Sequence, residues 1–307
     1  MSEEAITEAA MRSMRVIFFS VVFSLLVASS APVLAADRVT ILYDAFSDSP
    51  KITKDWGFSA LIEHHGKRIL FDTGNNAEIF ERNVKALNLD LTKLDFVVIS
   101  HRHTDHISGL KYVLRANPNA VIYVPANGAN GFGGATLPVA FLRPEASLPA
   151  EMRYFDGKYP DHLQAGKLYD AGDFRLIDKT TEVAPGIFLI FTVSNVPGTK
   201  ELPELTLAFK EENGLTLIDG CSHAGIEEIL TAASQIDSRF HIVFGGLHLV
   251  TTPEQDIDRI VENLRTKWKL QKIAPGHCTG EAAFLRLRKA FGDDYIYAGA
   301  GRTIAVP

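Results

Sequence analysis

The amino-acid sequence predicts an α/β layered fold in which two similar units form a sandwich. Short apolar strands alternate with amphipathic helices along most of the chain, a pattern typical of layered α/β domains. Residues 37–125 and 167–307 both begin with consecutive strands and continue as alternating strands and helices, which suggests two similar halves. With 307 residues, 46% of them hydrophobic, the chain can bury a large core.

The first half begins with runs of β-branched and apolar residues that predict strands, and a tight turn at 64–67 predicts a hairpin. Apolar residues then recur at helical spacing on either side of a buried strand, which predicts an amphipathic helix before and after it. The predicted strands are 39–46, 58–63, 68–71, 94–100 and Ala120–Val124, and the predicted helices are 77–87 and 105–115.

Residues 126–166 differ in character from the rest of the chain. They are rich in glycine at first and then punctuated by proline, which predicts a long loop or lid that shapes a substrate pocket. No Lys-Ser or Lys-Thr pair follows the glycines, so a phosphate-binding P-loop is excluded.

The strand pattern returns in the second half of the chain. It again gives way to alternating strands and helices. The predicted strands are 174–177, 186–193, 204–209, 215–218, 241–244, one from 273 and a last one near 295–305, and the predicted helices are 225–235, 253–267 and 281–291.

The N-terminus predicts a secretory signal peptide over residues 1–35, followed by one domain over 36–307. Arg12 and Arg15 precede a short apolar run, and small residues follow up to a Val-x-Ala site at Ala35. We therefore expect a periplasmic or secreted protein cleaved near Ala35. An uncleaved membrane anchor is the alternative, because the apolar run approaches the lower limit for a membrane span.

Charge and composition limit the possible partners. The net charge is −6, and lysine and arginine are scattered without a basic stripe, so nucleic acid is not an expected partner. After signal cleavage no other segment is apolar enough to cross a membrane. A small-molecule substrate is the expected partner, and the sequence leaves the oligomeric state open.

The most informative segment is His-Arg-His-Thr-Asp-His at 101–106, directly after the apolar strand 94–100. Neutral imidazole is the commonest protein metal ligand, and aspartate binds the same ions. His101 and His103 lie two residues apart and can reach one ion from extended chain. Asp105 and His106 fall in the first turn of a helix and can reach a second ion roughly 3.5–4 Å from the first. The cluster predicts a two-metal site.

The motif His101-x-His103-x-Asp105-His106 after an apolar strand resembles the signature of the metallo-β-lactamase superfamily. Asp72 in Phe-Asp-Thr-Gly resembles the first motif of that family, and His277 in Pro-Gly-His resembles its last. The resemblance covers nearly all of residues 39–305. It implies a four-layer αββα sandwich with a dinuclear metal site at one edge of the two sheets.

The Gly-Cys-Ser-His, Gly-Gly-Leu-His and Pro-Gly-His-Cys motifs at 220–223, 245–248 and 275–278 resemble one branch of this superfamily. That branch is named for 7,8-dihydropterin-6-yl-methyl-4-(β-D-ribofuranosyl)aminobenzene 5′-phosphate synthase. The usual family pattern has a further histidine before the second-half Asp or Cys that bridges the metals, yet no histidine lies between His162 and His223. Either His223 completes the first metal site, or Cys221 takes the bridging place, or both.

We therefore expect His101, His103 and His223 to hold one ion, and Asp105, His106 and His277 to hold the other. Zinc is the first expectation, with iron or manganese possible. A water shared by the ions would have a lowered pKa and become the nucleophile. Asp72 is expected to bond a ligand imidazole or the turn backbone.

Other polar residues are candidates for substrate contact or for a place beside the metals. His248 is expected either to contact substrate or donate a proton, or else to be structural. His162, in the predicted lid, is a further candidate for substrate contact. Cys221 and Cys278 could form a disulfide in an exported protein, although both stand in histidine-containing motifs that favour a place beside the metals.

Three functions compete on this evidence. The first is an exported metal-dependent hydrolase of a small ester, phosphoester or lactone. The second is a synthase or transferase of the resembled branch, which forms a C–N bond on a pterin and would be cytosolic. The third is a small-molecule binding protein that keeps the fold without turnover, and the complete ligand set argues against it.

Overall fold

The fold is built on two large β-sheets. The structure is a computed structural model that describes residues 37–126, 136–138, 142–164 and 172–306. The first sheet has seven strands in the order β15-β1-β2-β3-β4-β5-β8, and the second has six in the order β14-β13-β12-β11-β10-β9. A separate two-stranded sheet pairs β6 with β7. The predicted signal peptide, residues 1–35, lies outside the described residues.

Each large sheet combines an antiparallel part with a parallel part. Strands β3, β4, β5 and β8 run parallel in the first sheet, and β12, β13 and β14 run parallel in the second. The strands are β1 (Arg38–Tyr43), β2 (Ser59–His64), β3 (Lys67–Phe71), β4 (Phe96–Val98), β5 (Val121–Pro125), β6 (Thr136–Pro138), β7 (His162–Gln164), β8 (Asp173–Ile177), β9 (Thr181–Ala184), β10 (Ile187–Val193), β11 (Pro203–Glu211), β12 (Gly214–Asp219), β13 (Phe240–Gly246), β14 (Lys272–Gly276) and β15 (Thr303–Ala305).

Among the described residues, six α-helices cover the outer faces of the two large sheets. They are α1 (Ala77–Ala86), α2 (Thr104–Ile107), α3 (Leu110–Ala116), α4 (Ile226–Ala233), α5 (Glu254–Thr266) and α6 (Glu281–Phe291). Helices α1 to α3 follow strands of the first sheet, and α4 to α6 follow strands of the second. Short 3₁₀ turns occur at Ala150–Met152, Tyr154–Gly157, His277–Thr279 and Gly292–Asp294.

Alternating side chains on the strands divide the core into three layers. Phe71, Val98 and Phe244 belong to the apolar layer between the two sheets. Leu70 and Val97 face the other way and pack with α1 to α3, whose residues fill a second apolar cluster. A third cluster joins the outer face of the second sheet to α4, α5 and α6. The resulting αββα order confirms the predicted four-layer sandwich.

The hairpin between β2 and β3 forms as predicted, with a two-residue turn at His65 and Gly66. Both residues have positive φ, 45° and 78°, as the turn type that matches strand twist requires. The predicted helix 105–115 is wrong in one respect, because Ser108 and Gly109 divide it into α2 and α3. A Cβ at Gly109 would lie 2.2 Å from the Thr73 carbonyl oxygen, so this residue is where the helix meets the first sheet.

Several predicted strands prove shorter in the structure. The first strand was predicted over 39–46, but β1 ends at Tyr43. There the chain turns, because the Asp44 side chain is buried and accepts hydrogen bonds from the backbone amides of Ala45 and His277. The last strand, predicted near 295–305, is confined to Thr303–Ala305. Strand β9 was missed, since its four residues, Thr-Glu-Val-Ala, are too few to show an apolar alternation and none of them is buried.

The predicted lid 126–166 falls partly outside the described residues. Within its described part, Leu142, Met152 and Tyr154 join an apolar cluster that also contains Cys221 and Cys278, which follow strands of the second sheet. Whether the segment shapes a substrate pocket stays a prediction. Within the described ranges, no helix has the length and apolar character needed to cross a bilayer.

Candidate metal centre

The carboxyl ends of the parallel strands of both sheets meet at one edge of the sandwich. Asp72 follows β3, His101 lies just beyond β4, and His277 follows β14. The amide of Leu205 in β11 donates to the carbonyl of Ser100 over 2.7 Å, which joins the two sheets at this edge. The chain thereby brings residues more than 170 positions apart to one place, such as His106 and His277.

The six predicted ligands fall into two groups of three. In each group, one nitrogen or carboxylate oxygen of every member lies within 4.8 Å of the others. The first donor group is His101, His103 and His223, and the second donor group is Asp105, His106 and His277.

The first donor group joins the loop after β4 to the loop after β12. Nε2 of His101 lies 3.1 Å from Nδ1 of His103. The ring of His223 stands over both, with centroids 4.6 Å from His101 and 4.8 Å from His103. His101 and His223 are buried, whereas His103 is half-buried. The structure thus places His223 where the third histidine of the first site was predicted.

The second donor group lies directly beside the first. Nε2 of His106 is 3.2 Å from Nε2 of His277, and Oδ2 of Asp105 is 3.4 Å from that same His277 nitrogen. Asp105 and His106 lie in the first turn of the four-residue helix α2, as predicted. The rings of His101 and His106 are 4.2 Å apart between centroids, so the two groups share a boundary.

The protonation of these residues suits cation binding. Burial, followed by the charge of neighbouring imidazoles, lowers the pKa of His103 to about 4 and that of His223 to about 3, which leaves both neutral. Burial alone would raise the pKa of Asp105, but His106 and His277 outweigh it and keep the carboxylate ionised. Neutral imidazoles and an ionised carboxylate are the forms that bind metal.

His106 differs from the other histidines of the two donor groups because its pKa is raised. Burial would lower its pKa, yet the carboxylates of Asp72 and Asp105 outweigh burial and raise it to about 9. The ring therefore carries a positive charge that a divalent cation would replace, with release of a proton. A donor set of five imidazoles and one carboxylate, buried around a shared boundary, fits two divalent ions.

Asp72 acts on the second donor group through His106. Its buried carboxylate accepts from Nδ1 of His106 at 2.6 Å and from the amide and hydroxyl of Ser100 at 2.7 Å each. The Ser100 hydroxyl also lies 2.8 Å from Nδ1 of His101. This hydrogen-bond network orients one ring in each group, in agreement with the role expected for Asp72.

Two buried carboxylates near the centre were missed by sequence reasoning. Oε2 of Glu204 accepts the backbone N–H of His223 at 2.7 Å, and Oε1 lies 3.4 Å from Nδ1 of His223 and 3.5 Å from Nδ1 of His101. Burial raises the pKa of Glu204 to about 7. The available signal was an acidic residue next to the apolar residues Leu205, Leu207 and Phe209 of strand β11.

Asp44 is the second of these carboxylates. It is fully buried, and its Oδ2 accepts the backbone N–H of His277 at 2.9 Å. A Cβ at Gly276 would lie 2.7 Å from the same oxygen, so glycine is needed for this approach. Tyr154 adds a second restraint, because its hydroxyl donates to the carbonyl of His277.

The structure places Cys221 between the two donor groups. Its sulfur lies within 4.8 Å of ligand atoms of both His101 and His106. The position of Cys221 is therefore compatible with a bridging ligand, while His223 completes the first donor group. Both alternatives that the sequence left open can hold together. Cys221 and Cys278 are free thiols, not a disulfide.

His248 and His162, the predicted substrate contacts, differ in placement. The His248 ring lies 4.4 Å from that of His223, with Nδ1 3.8 Å from the Cys221 sulfur. His248 therefore lies next to the first donor group and also contacts Cys221. His162 begins β7. Catalytic or substrate-binding roles for these two residues stay predictions.

Known proteins are similar to this chain in sequence. The sequence profile of the Metallo-beta-lactamase superfamily matches residues 52–199. The 7,8-dihydropterin-6-methyl-4-(beta-D-ribofuranosyl)-aminobenzene-5'-phosphate synthase of Methanocaldococcus jannaschii is 30% identical over 266 residues, which span 81% of this chain and 89% of the relative.

Solved structures share the fold. Tm1679, described as a metal-dependent hydrolase of the beta-lactamase superfamily, superposes with a TM-score of 0.67 at 24% identity and covers 88% of this chain and 99% of its own. The metallo-beta-lactamase fold protein YhfI from Bacillus subtilis gives a TM-score of 0.53 at 12% identity, over 88% of this chain and 99% of its own. From its sequence, its fold and its histidine-rich edge, this chain belongs to the metallo-β-lactamase superfamily.

Proposed function

We propose that this protein is an exported, zinc-dependent hydrolase of a small ester, phosphoester or lactone. The observation that carries the proposal is the shared boundary of the two donor groups, where the rings of His101 and His106 lie 4.2 Å apart. When bound there, a pair of divalent ions supplies Lewis acidity and a water of lowered pKa. That chemistry serves attack on an electrophilic carbonyl or phosphoryl centre.

The residues of the chain prepare the site for this chemistry. Asp72 fixes the His106 ring through Nδ1, so that Nε2 points toward His277. Glu204 lies opposite Nδ1 of both His101 and His223, which leaves their Nε2 atoms for the ion. These contacts hold the rings in place before a ligand arrives, and such preorganisation raises metal affinity.

Asp105 has a second candidate role as a proton acceptor. Its carboxylate is about a tenth exposed, and it is the only acid of the two donor groups. An ionised carboxylate at this position can accept a proton from an attacking water or pass one to a leaving group. We propose Asp105 as ligand and proton carrier.

The hydrolase proposal is tested by metal analysis together with turnover. The mature chain is assayed on panels of phosphoesters, lactones and thioesters, with His103→Ala as the inactive variant. His65→Ala is the matched control, because that ring is about three-quarters exposed at a hairpin turn. We expect hydrolysis by the parent and the control and none by His103→Ala. Metal-loaded protein that binds these compounds without turning them over would contradict the proposal.

Export is tested separately by cell fractionation and N-terminal sequencing. We expect a periplasmic chain that begins next to Ala35. A cytoplasmic chain that retains residues 1–35 would contradict export without touching the hydrolase proposal.

A second candidate function is C–N bond formation of the type catalysed by the synthase from M. jannaschii. The similarity of 30% over 81% of this chain favours it. It predicts pterin-dependent product formation by the cytosolic chain, with the same loss in His103→Ala. Hydrolysis of simple esters without any pterin-dependent condensation would favour the hydrolase.

A further inference from the structure

The two cysteines of the chain meet beside the candidate metal centre. Cys221 follows β12 and Cys278 lies just beyond β14, yet their sulfurs are 3.0 Å apart and both side chains are buried. That separation is only about 1 Å longer than a disulfide bond, which measures about 2.05 Å. The chain has two cysteines in total, so each sulfur has the other as its one possible partner within the molecule.

A glycine makes this meeting possible. Strands β12 and β14 flank β13, so their ends lie two strand spacings apart, roughly 9.5 Å. The cysteines bridge this gap over the end of β13, at Gly246. A Cβ on Gly246 would lie 2.7 Å from the Cys278 sulfur and 3.3 Å from the Cys221 Cα. The missing side chain leaves space for the Cys278 sulfur and for the backbone of Cys221.

The backbone beside each cysteine is held in an unusual conformation. Ser222 and His277, which adjoin Cys221 and Cys278, have φ values of 58° and 46°, in the left-handed region that residues other than glycine rarely adopt. Hydrogen bonds hold the first of these turns, because the Ser222 hydroxyl contacts Asp219 at 2.6 Å and the Gly246 carbonyl at 2.7 Å. Such conformations persist where the surroundings over-determine them, often at functional sites.

We propose that Cys221 and Cys278 form a reversible disulfide that ties the loop carrying His223 to the loop carrying His277. With hydrogen peroxide as oxidant, one sulfur attacks a peroxide oxygen, the O–O bond breaks, and the products are a sulfenic acid and water. The second sulfur then attacks the sulfenic sulfur and releases a second water. Two thiols and one peroxide thus give one S–S bond and two waters, and an added dithiol reverses the reaction.

The disulfide would join the two sides of the metal centre. Cys221 lies two residues before His223, in the first donor group, and Cys278 directly follows His277, in the second. The bond would also consume the Cys221 thiol, whose sulfur lies within 4.8 Å of ligand atoms of both His101 and His106. The disulfide is therefore expected to act on the geometry of the centre, whichever reaction the protein catalyses.

The test measures free thiols before and after oxidation of the full, zinc-loaded chain. The reduced protein is exposed to hydrogen peroxide, quenched with N-ethylmaleimide under denaturing conditions, and analysed by intact mass and peptide mapping. We expect both thiols to disappear together, a linked peptide that contains Cys221 and Cys278, and full recovery of both thiols with dithiothreitol.

Unfolding in urea gives the second readout. Cross-linking of a long loop is expected to raise the urea midpoint of the oxidised chain by roughly 0.5–1 M over the reduced chain. Cys221→Ser and Cys278→Ser are the matched controls, because neither can form the bond, and peroxide should leave their midpoints unchanged. Loss of one thiol alone, sulfinic acid without a linked peptide, or thiols that stay reduced and hold an additional zinc would overturn the proposal.

Discussion

The carboxylate of Asp72 accepts a hydrogen bond from Nδ1 of His106 over 2.6 Å, and both side chains are fully buried. The bond leaves Nε2 of His106 directed at His277, 3.2 Å away. A residue at the end of β3 thereby sets the orientation of a ring at the start of α2. This contact gives the first prediction.

Replacing Asp72 with Asn should weaken metal binding at the second donor group. The amide keeps the shape of the side chain but loses the charge that orients and polarises the His106 ring. We expect the affinity for the second ion to fall about 10–100-fold, as measured by competition with a chromophoric chelator. Asp90→Asn is the control, since Asp90 is exposed. Equal affinities in parent and Asp72→Asn would show that His106 needs no such partner.

Glu204→Gln should weaken the first donor group instead. Glu204 accepts a hydrogen bond from the His223 amide at 2.7 Å and faces the His101 ring, so its carboxyl group orients both residues. We expect one of the two ions to bind about 10-fold or more weakly while the other is unaffected. Titration with Co²⁺, followed by its visible absorption, separates the two events. The exposed Glu201→Gln serves as control, and a uniform loss of both ions would contradict the assignment.

Removal of metal should lower thermal stability. An ion that binds only the folded chain at 100 times its Kd stabilises it by about 2.7 kcal/mol. For a domain of this size, we expect a chelator to lower Tm by roughly 5–10 °C, and zinc to restore it. Differential scanning fluorimetry measures the shift. His277→Ala should show a smaller chelator effect than the parent, and an identical shift would exclude His277 as a ligand.

Phe244→Ala should destabilise the sandwich without removing the donor groups. Phe244 is fully buried in the layer between the two sheets, so its truncation leaves a cavity. We expect the free energy of unfolding to fall by about 3–5 kcal/mol in urea denaturation. Val193→Ala, on a side chain that is 42% exposed, is the control. A folded Phe244→Ala chain should still bind metal, and its complete loss would mean that the centre depends on this layer.

The local pattern of the sequence predicted much of the fold and the first half of the site. Strand periodicity and a helix start at 105, one residue after the observed start at Thr104, were readable because neighbouring residues determine them. His101 to His106 were found because four ligand-type residues follow one buried strand. The division of the helix at Gly109 was missed, since it depends on contact with Thr73, far away in sequence.

Long-range contacts explain what the sequence could not reveal. Asp44 and Glu204 are single acidic residues within apolar surroundings, and only the fold brings them to His277 and His223. The sequence also could not show whether Cys221 or His223 lies closer to the first metal site. Their distances from His101 depend on how the two sheets meet. Spacing along the chain carries no information about that meeting.

The most direct test of the metal centre is the metal content of the purified, zinc-reconstituted chain, measured by inductively coupled plasma mass spectrometry. The two donor groups predict about two divalent ions per chain, about one in His103→Ala and about one in His277→Ala, with His65→Ala equal to the parent. Circular dichroism establishes that each variant is folded. A folded parent chain that holds no stoichiometric divalent ion, or variants that both retain two, would contradict the dinuclear centre.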